Sequence, residues 1–245
     1  MNRAMERLSS GLRINSAKDD AAGQGIATRL SAEVKSLEMA SRNASDAQAM
    51  IDTAESAHRE VHSMLLRMRE IAVQAVNGTL NSADRTALNS EMTEMETEIN
   101  KIADNTQFGG INLGTSSAVT FQVGAAKGVT ITHTFKDFDA TKIGATGGVD
   151  TATNAANAIS LIDDAISLVS TRRGELGALS NRLTSTIANL DNIAVNLSSA
   201  RGRIQDADFA TETSNLAKSQ IMQQAATAML AQANASKQTV LALIQ

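Results

Sequence analysis

Between Ile159 and Ile204 the apolar positions recur in alternating steps of three and four without a slip. They fall at Ile159, Ile162, Ile166, Val169, Leu176, Leu183, Ile187, Leu190, Ala194, Leu197 and Ile204, with Arg173, Ser180 and Arg201 keeping the register between them. A heptad seam of this kind marks a helix packed lengthwise against other helices. One continuous helix over these residues would be about 69 Å long. A compact globule of the same chain length has a radius of gyration of only roughly 18 Å. The seam therefore predicts a mainly α, elongated bundle of long helices rather than a globule.

The composition agrees with that reading. The chain contains no proline, where ordinary usage would give roughly twelve, and proline breaks helix interiors. Apolar content is 42%, carried by aliphatic side chains, with five Phe and no Trp or Tyr. Thin helical bundles need little aromatic filling. Cysteine is absent, so there is neither a disulfide framework nor a thiolate metal site. No apolar run reaches the length of a membrane span, and no basic-then-apolar leader opens the sequence. A net charge of −4 with interspersed signs gives no electrostatic reason to expect nucleic acid. Composition alone points to a cytoplasmic protein.

Read in order, residues 1–20 form a connector following a short helical start at Met1, Met5 and Leu8. A second heptad seam runs through Leu37, Ala40, Ala44, Ala47, Ile51, Ala54, His58, Val61, Leu65, Met68, Ala72 and Ala75, and Asn77-Gly78 ends it. Ser82 is placed to cap a third helix, with Asp84 in its first turn and a seam at Leu88, Met92, Met95, Ile99 and Ile102. Val119, Phe121 and Val123 alternate on one side of Gly124–Gly128, and Val129, Ile131, His133 and Phe135 on the other, which predicts a β-hairpin. Such a hairpin is marginal alone and needs the bundle beneath it. Residues 136–150 read as a flexible return loop. After a joint at Arg201-Gly202 and Asp206–Asp208, residues 209–245 carry a wide apolar stripe. It comprises Met222, Ala226, Met229, Ala233, Val240 and Leu243, broadened by Ile221, Ala225, Ala228 and Leu230.

Candidate chemistry is sparse. Glu55, His58 and His62 share one side of a helix in a spacing that can hold a metal, but His58 occupies a seam position where a polar residue sets register. Asp19-Asp20 and Asp163-Asp164 are adjacent pairs that face different ways on a helix. The glycines at 144–148 lack the spacing of a phosphate loop. No nucleophile, base and oxyanion donor come together, so the expectation is a non-enzymatic protein without cofactor or metal. The methionines lie mostly on the seams as core filling; Met222 and Met229 are the exception, since their helix has no evident partner.

Several stretches together resemble bacterial flagellins. Leu8–Gly23, reading LSSGLRINSAKDDAAG, is similar to the signature near the N-terminus of that family. Arg67–Gln74 followed by Asn77-Gly78-Thr79 resembles its RVRELAVQ…NGT stretch, Thr106–Gly110 its TQFNG, and Phe121–Gly124 its FQVG. Arg201–Thr213, Gln220–Ala225 and the tail from Val240 to Gln245 resemble its C-terminal signature. These matches span nearly the whole chain in the family's order.

The resemblance implies a structural subunit of the flagellar filament, exported unfolded by the flagellar type III system and assembled as a helical homo-oligomer. It implies a rod-like helical domain over residues 21–208, with the hairpin and a short variable stretch at 114–154, and a terminal-domain helix over 209–245. Only eight residues precede Ser9, so the chain is expected to lack the family's N-terminal helix, and the outer variable domains are reduced to a minimal form.

The resemblance also implies two partners. One is an export chaperone on the C-terminal segment, using the face of Ile221, Met222, Ala225, Met229, Ala233, Val240 and Leu243 that also serves assembly. The other is the animal flagellin-sensing Toll-like receptor, carried over to Arg67, Ile71, Gln74 and Glu91, with Leu66 standing where the family often has Gln. A hook-filament junction protein, a chemoreceptor signalling bundle and a surface polysaccharide-binding protein on the same scaffold are the alternatives. Neither nucleic-acid binding nor membrane insertion is expected.

Overall fold

The computed structural model describes the backbone of residues 2–244 and the side chains of residues 2–233. The fold is mainly α. In chain order it comprises α1 (Asn2–Ser10), α2 (Ala21–Val76), α3 (Ser82–Asn105), β1 (Gln107–Phe108), β2 (Ile111–Asn112), β3 (Ser117–Gln122), β4 (Thr130–Phe135), α4 (Ala140–Ile143), α5 (Ala152–Gln205) and α6 (Phe209–Ile244). The chain divides into two compact units, residues 36–192 and residues 1–35 with 193–245.

In the unit of residues 36–192, α2 and α5 pack along their heptad seams and a third layer changes along their length. Over one stretch the third layer is α3, and Val61, Leu65, Met68, Ile71, Met92, Ile99, Ile162 and Val169 form a shared core. Over the next stretch it is the hairpin, where Ile51, Ala54, Leu176 and Leu183 meet Val123, Ile131 and Phe135. β3 and β4 pair antiparallel from Ser117↔Phe135 to Gln122↔Thr130. Arg69 and Asp163 tie α2 to α5 at 2.6 Å, and Arg173 and Glu55 do so at 2.9 Å.

The α2–α3 turn is held by a single side chain. Arg85 donates to the carbonyls of Ala75, Asn77 and Leu80 at 2.9, 2.9 and 3.0 Å, which satisfies oxygens that the end of α2 leaves open. The cap of α3 is Asn81, not Ser82. Asn81 Oδ1 accepts from Asp84 N–H and Asp84 Oδ2 accepts from Asn81 N–H, a reciprocal capping box.

Residues 136–150 are not a free loop. Phe138, Ala140, Ile143, Ala145 and Val149 are buried, and the backbone is fastened to α3. Asn100 Oδ1 accepts from Ala140 N–H, Glu96 Oε1 from Gly147 N–H, and Asn89 Oδ1 from Val149 N–H. The apolar residues of this segment follow no period, so neither a helical nor a strand pattern reveals them. A second turn, β1–β2, is likewise unannounced by periodicity and uses Gly109 and Gly110 at positive φ.

In the unit of residues 1–35 and 193–245, the expectation of a missing N-terminal helix is corrected. Residues Asn2–Ser10 are helical and pack on α6, burying Ala4 and bringing Arg7 within 3.8 Å of the buried carboxylate of Glu212. The connector after α1 is ordered by the joint before α6. Gly11 turns the chain at φ +71°. Leu12 and Asp206 form an antiparallel bridge, Arg13 N–H and Arg13 Nη2 donate to the carbonyls of Gln205 and Ile204, and Ala207 N–H donates to Gly11 O. Asp20 Oδ1 accepts from Gly23 N–H at the start of α2, and Ile14 is buried beside it.

Candidate functional site

Asp19, Asp163, His58 and Glu55, singled out in the sequence, make structural contacts. Asp19 accepts from Ser16 N–H and Oγ–H, which with Asn15 N–H holds its carboxyl below the usual carboxylate range. Asp163 pairs with Arg69. His58 is buried at its seam position with Nδ1 bonded to the Ala54 carbonyl, and Glu55 is engaged by Arg59 and Arg173. Among the described residues no group of three or more His, Cys, Asp or Glu is arranged to hold a metal ion. No helix of the described residues is long and apolar enough to cross a membrane. What the fold presents instead is two surfaces.

The first surface lies on α2 and α3. Arg67 reaches across to Glu91, with Nη2 and Nε at 3.0 and 3.3 Å from Oε1, while its Nη1 bonds Glu70 one turn further along α2 at 3.0 Å. Glu70 first and Glu91 second push the Arg67 pKa up. Gln74 is exposed on the same flank of α2. The fourth expected residue, Ile71, is 1% exposed and sits in the core with Met68 and Met92, beneath the exposed side chains of this flank. Sequence reasoning missed Glu70, although its i, i+3 spacing from Arg67 is the signal for such a pair. Leu66 and Val73 are exposed apolar neighbours along α2.

The second surface is α6 beyond its contact with α1. Ile221, Met222, Met229 and Leu230 are each more than 60% exposed, and Ala225 and Ala233 are exposed with them. Phe209, at the start of the helix, is also exposed. Val240 and Leu243, expected to complete the stripe, lie outside the residues whose side chains are described. Isolated exposed apolar residues are ordinary, but a run of large ones along one helix marks a surface that another element covers. The 36-residue helix combines this stripe with few charges.

Comparison with known proteins gives matches at both ends of the chain. The family model for the bacterial flagellin N-terminal helical region matches residues 1–115, and that for the bacterial flagellin C-terminal helical region matches residues 159–244. A flagellin of Halalkalibacterium halodurans is 46% identical over 248 residues, covering 99% of this chain and 91% of that protein. A flagellin of Bacillus subtilis is 40% identical over 279 residues, with 98% and 91% coverage. Among solved structures, Bacillus cereus flagellin superposes with a TM-score of 0.55 at 28% identity, over 65% of this chain and 94% of that one. A putative flagellar hook-associated protein from Vibrio parahaemolyticus shares the fold, with a TM-score of 0.66 at 18% identity over 77% of this chain and all of that one.

Proposed function

The chain belongs to the bacterial flagellin family, structural and non-enzymatic subunits of the extracellular flagellar filament, and from that premise we propose that the exposed stripe of α6 is the face through which it joins its neighbours. The observation that carries this reading is the row of Ile221, Met222, Met229 and Leu230, all exposed on a helix that meets α1 at Glu212. Burying apolar surface releases about 25 cal/mol per Å², so a face of this kind favours association over exposure.

Before assembly the same face suits an export chaperone, because a carrier that covers the stripe keeps subunits apart until they leave the cell by the flagellar type III route. The surface of Arg67, Gln74 and Glu91 suits recognition by the flagellin-sensing receptor, a role supported by its position on the exposed flank of α2 and α3. A filament subunit is favoured over a hook-filament junction protein by the two-ended family match and by the identity to flagellins along almost the whole chain.

The test is a double substitution, Ile221→Glu with Met229→Glu, in the full-length flagellin of the source cell. Because both side chains are exposed in the subunit, circular dichroism should be unchanged while electron microscopy shows no filaments. Normal filaments from the double variant would overturn the assignment.

A further inference from the structure

Where α2, α5 and β4 meet, a small cavity is lined by His58, His133, Lys136, Arg172 and Glu175. His58 is 4% exposed, and its ring lies 4.5 Å from that of Phe138, which anchors the segment leading into α4. Its Nδ1 is 2.8 Å from the Ala54 carbonyl, an acceptor only, so Nδ1 carries the proton and Nε2 is bare in the neutral ring. Charged and titratable groups surround the site from each element packed there. Glu55 on α2 and Arg172 and Arg173 on α5 act on the ring itself, His133 on β4, Glu175 on α5 and Lys136 line the cavity with it, and Asp137 and Asp139 act on Arg172.

Three of the four carboxylates among them are committed. Glu55 is held by Arg59 and Arg173, Glu175 by Lys136 at 3.4 Å, and Asp139 caps α4 through Lys142 N–H at 2.7 Å. Asp137 offers Arg172 its backbone carbonyl, and one oxygen of its carboxylate is buried without a partner, as is Arg172 Nε. A proton added to His58 would therefore place a cation in a buried site beside two guanidiniums, Arg172 and Arg173.

We propose that His58 is a pH-sensitive latch, whose protonation in mild acid releases Phe138 and with it the hairpin and the 136–149 segment from α2 and α5. The direction follows from the geometry. Burial holds the His58 imidazole below its ordinary value, Arg172 and Arg173 add to the effect, and the Ala54 carbonyl and Glu55 oppose it. The folded protein thus takes up the proton less readily than the unfolded one. Stability is present above the unfolded value of about 6.5 and is lost as the pH falls below it. The three histidines of the chain, His58, His62 and His133, make the experiment tractable.

Ring titrations of the three imidazoles by NMR, with amide hydrogen exchange corrected for intrinsic rates, would be followed on the full chain from about pH 7.5 to about pH 5. The expected result is that His58 titrates below the ordinary histidine value, and that protection over residues 130–149 drops about tenfold or more as it does so. His58→Gln should abolish the pH dependence of that protection while His133→Gln keeps it. A His58 ring that titrates at the ordinary histidine value, or an unchanged acid response in His58→Gln, would overturn the proposal. If His58→Gln does not fold, the wild-type chain decides alone: a loss of protection that does not coincide with the His58 titration is equally fatal.

Discussion

Arg67 on α2 and Glu91 on α3 meet at 3.0 Å on the exposed flank of the helical layer, and Glu70 holds the other edge of the same guanidinium at 3.0 Å. The pair bridges two helices whose packing is already secured underneath by Met68, Ile71 and Met92. Exposed ion pairs contribute little to stability. Arg67→Ala and Glu91→Ala should therefore leave helicity and the thermal midpoint nearly unchanged, while lowering receptor signalling by soluble protein. A double variant that signals at full strength would remove this surface from the receptor assignment.

The seam residues are tested by contrast. Leu190 is buried on the seam face of α5, whereas Lys142 is exposed at the end of α4. Leu190→Asp leaves an unpaired charge between helices and should cost about 3 kcal/mol or more, whereas Lys142→Asp should stay within about 1 kcal/mol. Thermal unfolding followed by circular dichroism compares the two, and equal midpoints would contradict the packing of α5 on its neighbours.

Gly114 marks a close approach of two backbones. A Cβ at this position would overlap the Ala103 carbonyl at the end of α3, and Gly114 N–H is bonded to Asn112 Oδ1 at 2.6 Å. Gly114→Ala should cost about 2 kcal/mol, with loss of amide protection in β1, β2 and the last turn of α3. Gly78→Ala, where the space is open, is the control and should leave stability and exchange close to the wild type.

Glu96 supplies a pH prediction of its own. Burial raises its carboxyl pKa, and the bond from Gly147 N–H offsets this only in part. A folded value above the unfolded one means that the folded state keeps this proton longer, so stability falls as the pH rises from the unfolded value of about 4.3 through the folded value. Glu96→Gln keeps an acceptor for Gly147 and removes the charge. Its thermal midpoint should exceed that of the wild type at neutral pH, and the advantage should shrink in acid. A constant difference across pH would show that burial of the charge is not the cause.

The parts of this molecule that were legible in advance are those governed by a period. Leu176, Leu183 and Leu190 sit in the core where the heptads place them, and the alternation of Ile131 and Phe135 marks the inner face of β4. What periodicity does not encode was missed. The 136–150 segment is held by Asn89, Glu96 and Asn100 from a helix far away in sequence, and α1 gains its order from α6 and from the bridge between Leu12 and Asp206. Ile71 is buried where its spacing, rather than its motif, places it. It lies three residues after Met68, on the same apolar face, and is buried for that reason.

The central claim is that α6 carries an apolar face which neighbouring subunits cover, and hydrogen exchange along that helix tests it most directly. Glu212 is buried against the α1 end, whereas from Gln220 to Ala233 every residue is exposed in the subunit. An isolated helix face of this kind gains little protection from packing. In a verified monomer, residues 220–233 should exchange far faster than the core of α2 and α5, and in assembled filaments the same residues should become among the most protected. Strong protection across residues 220–233 in the monomer, or no gain on assembly, would contradict the account.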